Sequence, residues 1–333
     1  MARASTIQWL PFEEDVKELN ERMERLRAFG EESGLDVGGH VEQLGRAKED
    51  RTREVFASLR PCDRVLVARH PQRPVASTYI SLLFEDFVEL CGDRRFGEDK
   101  AVVCGLGKLN GDRVMVIGQR KGRTTKDRIA CNFGMPHPEG FRKALLKMQM
   151  AEKFKLPVVT FMDTAGAFPG IGAEERGIAQ SIAENLYAMA NLRTPIVCVI
   201  IGEGASGGAL GIGQGDRVLM LENSYYSVIT PEGCAAILWR SREHWEDAAA
   251  AFKLVPEELI KFGIIDEIVK EPLGGAHRDT EGAARALGEA IRRNVAEMKK
   301  VPMKRLLEQR YQKYRNIGVY LEGGELRGIG AGI

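Results

Sequence analysis

Apolar residues recur along this chain first with a helical period and later with a strand period. Phe12, Val16, Leu19, Met23 and Leu26 follow one another at intervals of 4, 3, 4 and 3 residues, the stripe of an amphipathic helix otherwise rich in Glu and Arg. Gly30 and Gly34 end it. Val41, Leu44, Val55 and Leu59 fall on one face of a second helical stretch over about 41–59. The two predict a helical hairpin, too short for a long coiled coil, whose stripe must be buried on its own body or on a partner. Pro71 and Pro74 interrupt the chain, and a helix is predicted over about 75–90. The period then changes. Residues 101–109 and 113–119 are strand-like and joined by Asn110-Gly111, a strong hairpin signal. Helices are predicted over 138–154 and 173–190, strands over 158–162, 196–201, 218–221 and 264–269, and a short glycine-rich helix after 201. Two more helices follow Asp279, and a polar tail from Gly323 is expected to fray. Strands alternating with helices imply an α/β fold with at least part of its sheet parallel.

Composition narrows the function classes. The 333 residues carry 48 Lys+Arg and 47 Asp+Glu, a formal charge of +1. A dedicated nucleic-acid or membrane-surface protein would show a basic excess. No run approaches the ~20 apolar residues that span a bilayer, and Glu13, Glu14 and Asp15 interrupt any signal-peptide core, so a cytoplasmic protein is expected. The cysteines are Cys62, Cys91, Cys104, Cys131, Cys198 and Cys234. None form C-x-x-C, and they read as reduced thiols, Cys104 and Cys198 within apolar strands. The histidines show no ligand spacing, so no metal is expected. The 37 glycines are the anomaly.

Eleven of these glycines lie between 163 and 215, in two clusters that each follow an apolar strand. The first is Asp-Thr-Ala-Gly-Ala-Phe-Pro-Gly (163–170), the second Gly-Glu-Gly-Ala-Ser-Gly-Gly-Ala-Leu-Gly (202–211). Strand carboxyl ends are where ligands bind in open α/β sheets, and glycine lets backbone N–H groups approach a ligand. Four readings compete. Gly202-x-Gly204-x-x-Gly207, with Glu222 twenty residues on, matches a dinucleotide fingerprint, but the crossover that follows is short and interrupted by glycines. Gly204-Ala205-Ser206-Gly207-Gly208 matches G-x-S-x-G, with His244, Asp247, Asp266 and His277 downstream as partners for a serine nucleophile. A third reading needs no nucleophile: the Gly207 and Gly208 N–H groups at a helix start form an oxyanion hole, with the Ala167/Phe168 turn as the facing wall. The bland reading is that the glycines only permit tight turns.

Arg120-Lys121-Gly122-Arg123-Thr124-Thr125-Lys126-Asp127-Arg128 follows the strand over 113–119. A charge run of this kind is commonly a solvated loop, but at a strand end it is also placed to meet an anionic ligand. No P-loop pattern is present.

Longer stretches carry a resemblance. GQRKGRTTKDRIACNFGMPHPEGFRKAL (118–145), DTAGAFPGIGAEERG (163–177), IGEGASGGALGIGQGDRVLMLENSYYSVITPEGCAAILW (201–239) and GIIDEIVKEPLGGAHRD (263–279), with RHPQRP (69–74) and FEDFVELCGDRRFGEDKAV (84–102), closely resemble the carboxyltransferase alpha subunits of bacterial acetyl-CoA carboxylase, from about residue 70 to about 320. Ala165, Phe168 and Ala205 depart from the Pro, Tyr and Gly common in that family, without removing a backbone donor.

The resemblance implies a crotonase-like (ClpP/crotonase) superhelix of ββα units, with an N-terminal helical hairpin at 1–60, the carboxyltransferase domain at 61–320 with C-terminal helices, and a flexible tail at 321–333. It implies an α2β2 complex with a zinc-ribbon beta subunit, and the lack of C-x-x-C here suits the alpha role. The reaction implied moves a carboxyl group from carboxybiotin, tethered to a biotin carboxyl carrier protein, to acetyl-CoA, giving malonyl-CoA for fatty acid biosynthesis. A separate biotin carboxylase uses ATP to load the biotin. Loss of CO2 leaves negative charge on the biotin ureido oxygen, for which the hole at Gly207/Gly208 is suited. Gly166, Ser206, Arg176, Lys121, Arg123, Lys126 and Arg128 are further candidates for substrate, phosphate or subunit contacts. The N-terminal hairpin is expected to pack on the beta subunit. A serine hydrolase using Ser206, or a carboxyltransferase for another acyl-CoA, are the alternatives.

Overall fold

Five strands whose sequences read as unbroken apolar runs build the centre of the molecule, and both of their faces are buried. In Ile196–Ala205, residues Val197, Val199 and Ile201 enter the core on one face while Ile196, Cys198 and Ile200 enter that on the other. The same division by odd and even positions holds for Val114, Val116 against Met115, Ile117 and for Leu219, Leu221 against Val218, Met220, as the two-residue period of a strand requires.

The structure, a computed structural model, describes residues 7–318, 320–323 and 325–327. In chain order it runs α1 (Glu14–Ser33), α2 (Gly38–Ala57), α3 (Pro61–Ala68), α4 (Ala76–Leu83), β1 (Glu85–Glu89), β2 (Val102–Leu109), β3 (Asp112–Gln119), α5 (Thr125–Ala130), α6 (Pro138–Phe154), β4 (Val158–Thr164), α7 (Ile171–Glu175), α8 (Ile178–Asn191), β5 (Ile196–Ala205), α9 (Ser206–Leu210), β6 (Arg217–Leu221), β7 (Tyr225–Ser227), α10 (Pro231–Leu238), α11 (Trp245–Ala251), α12 (Pro256–Lys261), β8 (Glu267–Val269), α13 (Thr280–Lys299), α14 (Met303–Arg315), β9 (Tyr320–Glu322) and β10 (Glu325–Arg327). The main sheet has the order β1-β2-β3-β4-β5-β6-β8, with β7 paired to the end of β5. β1, β2 and β3 are antiparallel and the pairs from β3 onward are parallel. Side chains of α4 and α13 cover one face, and those of α6, α8 and α9 cover the other. No described helix is long and apolar enough to cross a membrane.

Most expected elements are present, including the hairpin at Asn110 and Gly111, both at positive φ, and the 138–154 helix. Four differ. The helix expected over 75–90 stops at Leu83, and β1 follows. Gly105 and Gly107 of β2 leave a trough there: a Cβ on Gly105 would lie 2.4 Å from the Phe87 ring, and one on Gly107 3.0 Å from Phe84 Cβ. Those rings fill the trough, so the segment gains more as an edge strand than as helix. The helix expected over 173–190 is two, parted at Gly177 with φ +78°. α3 was not anticipated, although Pro61 at its first turn and Asp63, which accepts from the Arg60 N–H at 3.0 Å, are start signals. β5 continues four residues past Ile201. Of the tail expected to fray, β9 and β10 pair as an antiparallel ribbon, and residues 324 and 328–333 lie outside the described residues.

All described cysteines are free, with Cys104 and Cys198 in the core as read from their surroundings. α1 and α2 pack as the expected hairpin. The C-terminal helix α14 is fastened by Arg310, whose five N–H donors are all engaged: Nε and Nη2 on Asp216 at 2.8 and 2.7 Å, and the rest on the carbonyls of Met189, Leu192 and Thr194. Removing one side of a buried pair strands the other charge. Arg310→Met is therefore expected to lower the unfolding free energy by about 3–5 kcal/mol, measured by denaturant titration. Adding Asp216→Asn should recover part of it, because the amide oxygen can still accept from the Ile196 N–H, which lies 2.7 Å from Asp216. An unchanged midpoint in Arg310→Met would refute this role.

Candidate functional site

The two glycine-rich segments meet at the carboxyl ends of β4 and β5, backbone against backbone. A Cβ built on Gly208 would lie 2.3 Å from the carbonyl carbon of Gly166 and 2.5 Å from the Ala167 nitrogen. Only glycine fits there. Gly166 is itself at φ +153°, and Thr164 Oγ1 donates to its carbonyl at 2.7 Å and accepts from its N–H at 3.1 Å. Ser206 opens α9 at φ +59°, a left-handed conformation uncommon for a residue with a side chain.

The available donors can now be named. Neither the Gly207 nor the Gly208 N–H makes a hydrogen bond among the described residues, and the Ala167 N–H makes none either. The Phe168 N–H is occupied, donating to the Pro136 carbonyl at 2.9 Å. Phe168 contributes its ring, which lies 4.2 Å from His137 between centroids and closes over Gly170. Beside Ser206 and Gly207 opens an apolar cavity of about 490 Å³, walled by Leu210, Tyr226, Phe252, Leu259 and Ile264. The arrangement offers backbone N–H groups to a developing negative charge at the rim of an apolar recess, the geometry of an oxyanion hole.

Most of the eleven glycines do other work. β5 runs through Ala205, so Gly202 and Gly204 are strand residues, admitting the Asp163 carboxylate at 2.6 Å and Tyr226 at 2.9 Å from their would-be Cβ positions. Gly211, Gly213 and Gly215 yield to Phe141, Met162 and Cys198. The fingerprint Gly202-x-Gly204-x-x-Gly207 is thus strand followed by a five-residue helix, not a phosphate-binding turn.

The basic candidates divide. Lys121 is half-buried and its ammonium pairs with Asp163 at 2.8 Å and with Glu203. Glu203 also accepts from Arg69 at 2.6 Å and from the Tyr225 hydroxyl at 2.8 Å, and Arg69 continues to Glu232. Burial would raise the Glu203 carboxyl, but Lys121 and Arg69 outweigh it and hold it down at about 2. Burial pushes Asp163 up, Lys121 only partly opposing it, and the two carboxylates keep Lys121 protonated against burial. Lys121 therefore braces the strand ends and is no free anion receptor. Arg176 is likewise paired, its Nε 2.8 Å from Glu139 and its guanidinium over the Phe96 ring. Arg123 and Lys126 are exposed and Arg128 is half-exposed, on and beside α5, and none forms an ion pair among the described residues. Arg128 also borders a charged cavity of about 200 Å³ with Arg69, Lys121, Asp163 and Glu203.

No serine triad forms. Ser206 is exposed and its hydroxyl makes no hydrogen bond among the described residues. His244 and Asp247 pair with each other on the surface at 3.1 Å, and Asp266 pairs with Lys313. His277 stacks on His70 at 3.8 Å, and burial drives it down to about 2, so it is neutral. Among the described residues no three His, Cys, Asp or Glu side chains group as a metal site would require.

Sequence reasoning passed over Gln119, Asp163, Glu203 and Arg69. Gln119 is fully buried at the end of β3; its amide donates to the Gly208 carbonyl at 2.6 Å and accepts from the Asp163 N–H at 3.0 Å. The signal available was a polar residue closing each apolar strand run: Gln119, Asp163 and Glu203.

Comparison with known proteins agrees with this architecture. The family model described as acetyl co-enzyme A carboxylase carboxyltransferase-like matches residues 9–318. Proteins named acetyl-coenzyme A carboxylase carboxyl transferase subunit alpha are similar at 50% identity in Rhodopirellula baltica, over 94% of this chain and 98% of theirs, and at 56% in Geobacter sulfurreducens, over 83% and 87%. Among solved structures, a transcarboxylase 12S aligns with TM-score 0.53 and 21% identity, over 66% of this chain and 41% of that one. A Pseudomonas malonate decarboxylase hetero-tetramer in complex with coenzyme A aligns with TM-score 0.53 and 18% identity, over 65% and 86%. Those two share the fold, which is the crotonase-like superhelix expected from the sequence. With a family model spanning nearly all of it and half-identical relatives matched over nearly their full length, this chain belongs to the family of acetyl-coenzyme A carboxylase carboxyl transferase alpha subunits.

Proposed function

We propose that this chain is the alpha component of a biotin-dependent carboxyltransferase that converts acetyl-CoA to malonyl-CoA, and that the N–H groups of Gly207 and Gly208 are its oxyanion hole. It works in the cytoplasm with a beta subunit, as α2β2, and receives its carboxyl group from a biotin carboxyl carrier protein that a separate biotin carboxylase loads with ATP. The observation that carries the reading is a pair of consecutive acceptor-free backbone donors, of which Gly207 lines an apolar cavity and Gly208 lies buried beside it.

That donor set fits a carboxybiotin ureido group, which combines a polar oxygen with an apolar bicycle and arm. When bound, the group would supply the carboxyl to be transferred and a base for the acetyl methyl proton. Gly207 and Gly208 would hold its ureido oxygen and stabilise negative charge there, and fixed dipoles are effective because they need no reorganisation. The apolar walls at Phe252, Leu259 and Ile264 offer water few hydrogen-bond partners, and a site closed over them by the bound partners would favour capture of CO2 over its escape. No side-chain base is required. Arg123, Lys126 and Arg128, the unpaired cations, are the candidates for CoA phosphate or subunit contacts. The α1–α2 hairpin is proposed to dock on the beta subunit; its α2 stripe of Val41, Leu44 and Val55 is only half-buried within this chain.

Four outcomes test this. In a reconstituted complex with the beta subunit and biotinylated carrier, Gly207→Val, whose side chain would stand at the cavity that Gly207 lines, should remain folded, checked by its melting temperature, yet lose transfer by about a hundredfold or more. Gly208→Ala should lower both, because its methyl must part the two loops; normal transfer by either variant sinks the placement of the hole. Ser206→Ala should stay within about threefold of wild type, whereas loss of a true nucleophile costs many orders of magnitude. Finally, pull-down of the beta subunit by a chain lacking residues 1–60 should fall sharply, and undiminished capture would refute the docking role.

A further inference from the structure

We propose that Gln119 is a positioning residue for the oxyanion hole: its buried amide fixes the peptide frame that presents the Gly207 and Gly208 N–H groups. The inference rests on the functional reading above and adds a residue to it.

The argument begins with the carbonyls of the short helix α9 and the turn after it. The Gly207 carbonyl accepts from the Gly211 N–H, the Ala209 carbonyl from Ile212 and the Leu210 carbonyl from Gly213. Beyond the helix, the Gly211 carbonyl accepts from Asn185 and the Ile212 carbonyl from Thr160. The Gly208 carbonyl alone in α9 has no such backbone partner. A longer helix would supply one from residue 212, but the helix ends too soon. Gln119 takes that place with a donor at 2.6 Å. A buried carbonyl left unpaired would be costly, so the contact decides how α9 sits.

The other half of the amide holds the facing loop. The β3–β4 ladder ends at Gly118 opposite Phe161. Beyond it, the Asp163 N–H would lack a strand partner, and the Gln119 carbonyl oxygen accepts it at 3.0 Å. The amide orientation follows from chemistry, since Gly208 O can only accept and Asp163 N can only donate. One side chain thus ties the end of β4 to α9. It is not among the residues that line the cavity, and its two hydrogen bonds go to the backbone of α9 and of β4, so it acts through the glycines.

Few groups could imitate or disturb it. β2 presents the apolar Val102 opposite Gln119, and α9 brings no titratable side chain. The charged groups nearby are Asp163 on β4, Lys121 two residues on and Glu203 on β5, already joined to one another, with Arg120 paired to Glu89 and Arg73, which acts on Asp163, paired to Glu271. A carboxyl in place of the amide would accept from Asp163 as before. When ionised it could not donate to Gly208, and would face its carbonyl with like charge; when protonated it could donate again.

This gives a test that bulk packing would not mimic. Wild-type, Gln119→Glu and Gln119→Met chains are assayed in the reconstituted complex between pH 6 and 8, with melting temperatures recorded. A wild-type complex that makes no malonyl-CoA would overturn the functional reading itself. With the wild type active, Gln119→Met should lower kcat by about tenfold or more at every pH while KM for acetyl-CoA stays within about threefold. Gln119→Glu should be equally impaired at pH 8, and its rate relative to wild type should climb as pH falls. The proposal is overturned if either folded variant matches wild type within about twofold across the range, or if the Gln119→Glu ratio is flat with pH. Should Gln119→Met fail to fold, the pH dependence of the near-isosteric Gln119→Glu decides alone. Should Gln119→Glu fail instead, the split between kcat and KM in Gln119→Met decides.

Discussion

Among the described glycines, the one with least room for a side chain against backbone atoms is Gly208, which abuts the Gly166–Ala167 peptide. Two strand-end loops touch there with no side chain between them, and any Cβ would overlap backbone atoms that cannot rotate away. The surrounding structure follows from keeping that contact. β4 and β5 stay in register from Val158 opposite Ile196 to Met162 opposite Ile200, then slip, so that Thr164 faces Gly204. The slip brings the first loop over the second. Gly202 lets the Asp163 carboxylate fold against β5, where it accepts from the Glu203 N–H at 3.1 Å. A ligand approaching this point meets amide groups first because side chains have been excluded by geometry.

Holding two loops in contact at the ends of parallel strands requires something stiffer than hydrophobic burial, which has no direction. The charge network supplies direction. Lys121, Asp163, Glu203, Arg69 and Glu232 form a continuous chain of pairs from the β3–α5 loop across β4 and β5 to α10. Arg73 on the same side clasps Glu271 and donates to the Ile201 carbonyl at 2.9 Å. Buried pairs of this kind add little net stability, since desolvation offsets most of the attraction. Their effect is on position: each strand end is bound to its neighbours by bonds of fixed length. The basic residues near the strand ends are thus divided by their partners, with Lys121 and Arg176 engaged in ion pairs and Arg123, Lys126 and Arg128 in none among the described residues.

How much of this was legible depends on which interactions are local. Helices with caps and stripes, such as 138–154 and the pair after Asp279, were readable because their signals lie within a few residues. So was the hairpin at Asn110-Gly111. The 84–89 segment was misread because its strand character comes from a trough made by Gly105 and Gly107, some twenty residues away. Glycines were easy to count and hard to assign: Gly208 and Gly211 look alike in sequence, yet one abuts a facing loop and the other the Phe141 ring. Gln119 was invisible for the same reason, since a polar residue ending a strand is ordinary until its two partners, 44 and 89 residues distant, are known.

Ser206 shows why a motif and a mechanism can part company. β5 runs straight through Ala205, and α9 begins at the next residue. Reversing direction in one step demands a left-handed residue, and Ser206 takes it at φ +59°, at a cost of order 1 kcal/mol. The sharp strand-to-helix turn that lifts a nucleophilic serine in hydrolases has the same backbone shape, so both select glycine on either side and a small residue at the apex. The shared G-x-S-x-G spacing therefore records the turn. What separates the two chemistries is the company the apex keeps: here no histidine reaches the hydroxyl, while the next two amides are left without acceptors. The strain is compatible with function in either case because the flanking residues are fixed, Ala205 by its register with Ser227 of β7 and Gly208 by the facing loop. A glycine at the apex would relieve the strain but loosen the step, and the direction of the amides depends on that step.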